Sequence, residues 1–473
     1  MTLRFVHAAD LHLDSPLEGV TAGMPEQWAR QVRDATLLTL DRLAQFCREQ
    51  EVDLLLLAGD IFDQGDRGLR AQLRFRRMIE ELGRAGIPVF AVHGNHDDLG
   101  RQRLNLEWPS NLHVFPPGKP EMVSWQTRAG PVVRVFGISY PSREVRDNYA
   151  RRLLDLHSRV EREEKAASLD IALLHANVDG SPAVDPYAPV SLRELTASIP
   201  GFHYWALGHV HERKVLHSGR PVVAYPGNAQ GRSFAEPGWR GAYLVTVTDT
   251  GIYAEPLVEF YPLQTVVWHT ARVTVDELTA EDDLTRLLEK TVAAVAAEYT
   301  PEAVEKNGWK GGYAPEGVLL RVEIAGRSRL YRWLQQEATR SELLQTARDR
   351  AELPGAPWVW TTSLEFRVQP PVDRQKLLAE ESFIGDLVRL GTALREELAG
   401  RAQVAAAGKP GGAGGTLAGE MSALVNEWLK PLHSKSAIAS LLEELPPAEL
   451  QRWVEEAESL LVEKLLSEAG DEE

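Results

Sequence analysis

Five short apolar runs, Leu3 to Ala9, Asp53 to Ala58, Pro88 to His93, Asp170 to Leu174 and His203 to Leu207, each give way at once to residues that can bind a metal. Runs this short, separated by longer amphipathic stretches, predict buried strands alternating with helices, and therefore an α/β domain reaching to about residue 270. The polar residues that follow are Asp10 and His12 in "HAADLHLDSP", Asp60 in "GDIFDQG", and Asn95, His96 and Asp97 in "GNHDDLG". His175 follows in "LLHANVDG", then His209 and His211 in "LGHVHERK". In an open α/β sheet ligands bind beyond the carboxyl ends of the strands, so five segments far apart in the chain are expected to converge.

Carboxylate, imidazole and amide oxygen form a mixed donor set. Without thiolate it suits Mn²⁺, Fe²⁺ or Zn²⁺ and disfavours a structural cysteine-type zinc site. There are more such residues than one ion needs, and two ions sharing a carboxylate fit the count. Taken singly, an Asp or His at a strand end is usually a turn or capping residue, and Asn95 alone reads as an Asx turn. Independent capping does not make every strand end supply a ligand-type residue. Gly59, Gly94 and Gly208 stand just before these residues, where they let the backbone turn sharply.

Beyond the first domain the texture changes. Residues 271–370 mix strand candidates, "ARVTVDEL" and "GVLLRVEIAG", with charged helical stretches, which predicts a smaller α+β domain. Residues 371–400 read as helical, 401–419 as a flexible linker containing "GKPGGAGGTLAG", and 420–473 as an acidic helical tail. In the tail Leu450, Trp453, Val454, Ala457, Leu460, Leu461 and Leu465 recur at helical spacing. The net charge of −16 argues against a nucleic-acid partner, but Glu443 to Glu473 holds eleven acidic residues against Arg452 and Lys464. More than half the excess is therefore local to the tail, and the rest of the chain has room for a basic face. The single cysteine, Cys47, excludes an intramolecular disulfide and suits a reducing compartment. With no apolar segment long enough for a bilayer, the expectation is a cytoplasmic protein with no membrane contact.

The ordered set DxH, GDxxD, GNHD, a lone His and GHxH resembles the calcineurin-like metallophosphoesterase superfamily. Within it, "FVHAADLHLDSP", "GDIFDQG", "LLHANVDG", "GHVHERK" and "YPGNAQGR" resemble the bacterial SbcD-like DNA repair exonucleases, closest to the YhaO branch. The resemblance covers roughly residues 3 to 235. It implies a two-sheet sandwich flanked by helices, followed by a smaller α+β cap domain at 271–370 that is matched in organisation only. It also implies two divalent ions, most often Mn²⁺. Carried over by position, Asp10, His12 and His211 ligate one ion, Asn95, His175 and His209 the other, and Asp60 bridges. His96 becomes the catalytic histidine beside the scissile phosphate, with Asp97 orienting it. The sequence departs at Asp63, where archaeal and eukaryotic relatives often carry a histidine tied to exonuclease action, so cleavage polarity does not transfer.

A DNA substrate needs phosphate contacts. Arg101 and Arg103 follow GNHD directly, and Arg232 lies in "YPGNAQGR"; these are the candidates. The arginines 67, 70, 74, 76 and 77 are read more economically as a solvated helix face balanced by Glu80 and Glu81. The family resemblance further implies a homodimer working with a coiled-coil ATPase of the structural-maintenance type, with the tail helix at 447–466 as a docking element. Two other readings stay open: a small-molecule phosphodiesterase or nucleotide pyrophosphohydrolase, and a scaffold that holds DNA ends without cutting.

Overall fold

The computed structural model describes residues 2–406 and 461, apart from 16, 18, 64–67, 98–106, 128, 129, 131, 164–168, 180–186, 198–200, 249–254, 277, 353, 372, 373 and 380. The chain opens a first sheet with β1 (Leu3–Ala8), β2 (Leu54–Ala58), β3 (Val89–Val92) and β4 (Leu112–Val114). It then builds a second from β5 (Glu121–Gln126), β6 (Val132–Gly137), β7 (Leu169–His175), β8 (Tyr204–Gly208), β9 (Lys214–His217) and β10 (Val222–Tyr225). With β11 (Gly241–Val247) and β12 (Leu257–Pro262) it returns to the first. The strand orders are β12-β11-β1-β2-β3-β4 and β5-β6-β7-β8-β10-β9. β1 to β4 are mutually parallel, as are β6, β7, β8 and β10, so the functional strand ends of each sheet point the same way.

Alternation explains why the runs are apolar at every position. Leu54, Leu56 and Ala58 of β2 face the core between the sheets, where they meet Leu169, Ile171 and Leu173 of β7 and Tyr204 and Ala206 of β8. Leu55 and Leu57 point the other way, into a core covered by α2 (Ala35–Glu49) and α3 (Leu69–Arg84), after the short α1 (Glu26–Arg33). On the far side Ala172, Leu174, Trp205 and Leu207 pack beneath α4 (Tyr149–Glu163). Each fully buried leucine contributes about 1.5–3 kcal/mol, and burial on both faces fixes the register. The result is a two-sheet α/β sandwich flanked by helices.

Arg134 is the largest buried cation in this packing. At 2 % exposure it donates from Nε to Asp170 Oδ1 at 2.6 Å and also pairs with Glu161. His157 Nε2 lies 3.0 Å from the same Asp170. Burial alone would raise the Asp170 pKa, yet the bonds from Arg134 and His157 outweigh it and hold the carboxyl below its ordinary value. His157, Glu161 and Asp170 are close enough to grip a cation, and Arg134 already supplies one.

A third sheet, β13-β14-β15, comprises β13 (Val266–Thr274), β14 (Gly317–Arg327) and β15 (Trp358–Gln369), with helices Glu281–Glu298 and Glu337–Asp349 between its strands. The expected boundary at 270 falls inside β13, and that at 370 just past β15. Packing divides the chain across all three strands. One compact unit holds 1–273, 282–324 and 340–365; the other holds 274–281, 325–339 and the described residues from 366 onward. The reason is a shared core in the first unit: Val266, Leu319, Trp358 and Trp360 pack with Trp28, Ala29 and Val32 of α1, and the Trp28 and Trp358 rings stack at 5.4 Å. In the second unit Leu377 and Val388 form a small cluster with Ile384 and Leu387.

The helix Phe383–Ala406 corrects one expectation, because it runs six residues into the stretch read as linker from 401. "RAQVAA" is made almost wholly of good helix formers, and no breaker appears until Gly408 and Pro410. Apart from Leu461, which is helical and exposed, the tail at 420–473 lies outside the described residues. Among those described, no helix is long and apolar enough to cross a membrane.

Candidate metal centre

The loops after β1 and β2 continue the pairing of their strands: Asp10 N donates to Gly59 O at 3.1 Å and His12 N to Asp60 O at 3.0 Å. This pairing draws Asp10, His12 and Asp60 into left-handed backbone, at φ 52°, 42° and 49°, and His209 has φ 103°. Such conformations cost non-glycine residues of order 1–3 kcal/mol each and persist where surrounding structure imposes them. Close approach explains the glycines beside them. A β-carbon on Gly94 would stand 2.7 Å from His175 Nε2 and nearer still to Asp60 Oδ1, and one on Gly59, itself at φ 93°, would enter the His175 ring. Gly94→Ala should therefore weaken metal uptake about tenfold or more, as measured by calorimetric Mn²⁺ titration of metal-stripped protein, and lower the melting temperature by overpacking a buried site.

Two groups of donors face inward. In the first, His12 Nε2 and His211 Nε2 are 3.1 Å apart, and His211 Nε2 is 4.0 Å from Asp10 Oδ1. In the second, Asn95 Oδ1 lies 3.0 Å from His175 Nε2 and 3.3 Å from His209 Nδ1. Asp60 Oδ2 reaches both, 3.5 Å from His175 Nε2 and 3.9 Å from His12 Nε2. The Asp10 carboxylate also accepts the His209 backbone N–H at 3.1 Å. Outer partners set the tautomers. His175 Nδ1 donates to Ala58 O at 3.0 Å and His211 Nδ1 to Glu236 Oε1 at 2.6 Å, which leaves each Nε2 as a bare acceptor.

His175 Nε2 therefore points its lone pair at an amide oxygen and a carboxylate oxygen. Three acceptors converging within hydrogen-bonding range fit a cation between them, and His209 Nε2 is buried without a hydrogen-bond partner. Burial drives most of these donors toward their neutral form: Asp10 is pushed up to about 7, Asp60 is also raised, His12 and His175 fall to about 4 and His209 to about 2. His211 is the exception: burial lowers it, but the bond to Glu236 and the Asp10 charge outweigh burial and raise it. Neutral imidazoles are the ligand form, and a divalent cation is what restores the carboxylates as anions. The residues fit a metal.

The seven positions read as ligands from the sequence, Asp10, His12, Asp60, Asn95, His175, His209 and His211, thus share one place at the strand ends. His96 sits beside them, its backbone N–H donating to Asp60 Oδ1 at 2.9 Å. Asp97 requires a correction. Expected to orient His96, it accepts instead from Gly94 N at 2.7 Å and Ile61 N at 2.9 Å, and lies 3.0 Å from His93 Nδ1. The carboxylate on His96 Nδ1 is that of Asp63, at 2.8 Å. Adjacent side chains point apart, so Asp97 turns inward to hold its own loop, while Asp63, three residues past Asp60, comes round to meet His96. Ser15 Oγ donates to Asp63 at 2.8 Å. Burial would raise the Asp63 pKa, but His12 Nδ1 3.6 Å away and the hydrogen bonds from His96 and Ser15 hold it far below the carboxylate range.

Arg232 reaches the edge of the centre, its NH1 3.4 Å from Asp63 Oδ2. Arg101 and Arg103 lie outside the described residues, as does Arg67. Arg70, Arg74, Arg76 and Arg77 are paired with Asp34, Asp41, Glu80 and Glu81, the arrangement of a solvated face. Glu236 was invisible in the sequence, where "SFAEPG" reads as an ordinary loop. Asp63 had a visible signal in its spacing from Asp60.

Fold and donor set together define a metal-using phosphoesterase of the calcineurin-like kind, and the chain belongs to the calcineurin-like phosphoesterase family, which matches residues 3–213. The middle domain of metallophosphoesterase YhaO matches residues 268–369. The chain is 37% identical over 317 residues to the uncharacterized metallophosphoesterase YhaO of Bacillus subtilis, covering 67% of this chain and 74% of that protein. It is 26% identical to the SbcD component of the nuclease SbcCD of B. subtilis, over 52% of this chain and 66% of the other. It is also 26% identical to the DNA double-strand break repair protein Mre11 of Methanopyrus kandleri, over 66% of this chain and 68% of the other.

Proposed function

We propose that this phosphoesterase is a DNA nuclease, hydrolysing phosphodiester bonds with two divalent ions, most often Mn²⁺. The observation that carries the reading is the convergence of acceptors about Asp60, with His175 and His211 each locked into presenting a bare Nε2. Asp10, His12 and His211 would hold one ion, Asn95, His175 and His209 the other, and Asp60 both. When bound, such a pair polarises phosphoryl oxygens and lowers the pKa of an attacking water. His96, with Nδ1 engaged by Asp63, keeps Nε2 to carry a proton to the leaving oxygen.

The choice of DNA is supported by the names of two relatives, one part of a nuclease and one a double-strand break repair protein. Arg232 supports it too, as a cation at the rim of the centre able to contact a phosphodiester, and Arg101 and Arg103 are proposed for the same work. On this reading residues 1–270 cut, 271–370 cap the site and grip DNA, 371–400 form a helical segment, and 420–473 dock a coiled-coil ATPase beyond the linker of a homodimer.

The test is an assay of linear duplex, single-stranded and hairpin DNA with Mn²⁺, beside a chromogenic bis-ester, comparing wild type with Asp60→Ala and His96→Ala. Cleavage of DNA by wild type alone is the expected result. Turnover of the bis-ester without any DNA cleavage would point to a small-molecule phosphodiesterase. Duplex binding with no cleavage under any metal, with or without an ATPase partner, would point to a scaffold.

A further inference from the structure

We infer that Glu236 is a positioning residue for one half of the metal centre, aligning His211 and tethering the Arg232 loop through one carboxylate; this rests on the two-ion reading above. Its Oε1 takes the proton of His211 Nδ1 at 2.6 Å. A carboxylate at that nitrogen only accepts, so the proton stays there and Nε2 keeps its lone pair toward Asp10 and His12. A charged acceptor also makes the ring a stronger donor to a cation than a neutral one would. The other oxygen, Oε2, accepts Asn228 Nδ2 and the Arg232 backbone N–H, both at 2.8 Å. Arg232 then lies between two carboxylates, with NH2 3.7 Å from Glu236 Oε1 and NH1 3.4 Å from Asp63 Oδ2. One side chain thus touches a metal ligand and sets the arginine that faces the partner of His96.

The loop is anchored on its other side by residues of the region matched to the middle domain. Trp268 Nε1 donates to Gly231 O at 2.7 Å. The Phe234 ring meets Trp268 edge-on at 4.9 Å, and the Arg321 guanidinium lies 4.1 Å over the same ring while Nε contacts Glu365 Oε1 at 3.1 Å. The loop therefore spans the space between the third sheet and His211, with Glu236 as its contact to the metal side. Holding the loop alone needs only the Asn228 and Arg232 bonds. The third bond, to the imidazole, is what a loop-bracing role leaves unexplained.

The experiment is Mn²⁺ titration of metal-stripped full-length wild type, Glu236→Ala and Glu236→Gln by calorimetry, with free Mn²⁺ followed by electron paramagnetic resonance and melting of the metal-free proteins as a control. Wild type should take up two ions. Glu236→Ala should weaken one of them about 10- to 100-fold and leave the other within about twofold. Glu236→Gln, whose amide oxygen still accepts from Nδ1 without the charge, should fall between and keeps the test available if the alanine variant does not fold. Two unchanged affinities in both variants overturn the inference, as does equal weakening of both ions alongside a lowered metal-free melting temperature. If wild type takes up one ion, the two-ion reading fails, and the inference stands only if Glu236→Gln weakens that ion. No uptake by wild type overturns both.

Discussion

His96→Ala should lower turnover of a phosphodiester by about 10²–10⁴-fold, the range for losing a positioned proton donor, while Mn²⁺ titrations give the wild-type stoichiometry and affinity. The separation is expected because His96 gives its backbone N–H to Asp60 and its ring Nδ1 to Asp63, although the ring also stands edge-on to His12 at 4.8 Å. Loss of metal in this variant would make His96 a ligand and sink the assignment. A pH profile sharpens the expectation. Burial favours the neutral ring, but the Asp63 and Asp60 carboxylates outweigh it and raise the His96 pKa above 6.5. The acid form accordingly persists above that pH, and the rate should decline as pH rises through the raised value. Removing the charge with Asp63→Asn should move the decline to lower pH.

Asp60→Ala should abolish both metal uptake and turnover, the largest loss for any single side chain of the centre. Asp60 Oδ2 lies within 4 Å of the Nε2 of one histidine in each group, His175 and His12. Its Oδ1 meanwhile fixes the backbone of His96. Removing it leaves two half-sites without a common anion and frees the loop that carries the acid. Calorimetry should detect no tight Mn²⁺ site, in contrast to His96→Ala. Retention of one full-affinity ion would show that Asp60 serves a single site.

The apolar runs announced buried strands because a strand covered on both faces shows no polar alternation, while the stacking of two sheets was implied by the family resemblance alone. The convergence of the metal-binding residue types was legible for a related reason: the carboxyl ends of parallel strands bring segments distant in the chain together. Side-chain direction was less readable. The adjacent residues His96 and Asp97 suggested a pair, yet only the turn that brings Asp63 back over Asp60 decides which carboxylate reaches the imidazole. Glu236 gave no sign at all, since its importance arises from a loop closing between two distant sheets, and nothing in its neighbours reports that closure. At the helix through Ala406 the glycine-rich stretch that follows hides the helix-forming residues just before it, so the helix runs past the boundary that composition suggests.

The left-handed backbone at Asp10, His12, Asp60 and His209 makes ion uptake and conformational stability two readings of one quantity. A centre assembled from disfavoured torsions is held together by the surrounding cores, and any cation that binds only the assembled form returns its binding free energy to the fold by mass action. Chelation then acts as a thermal perturbation as much as a chemical one, felt first at the strand ends and last in the leucines behind them.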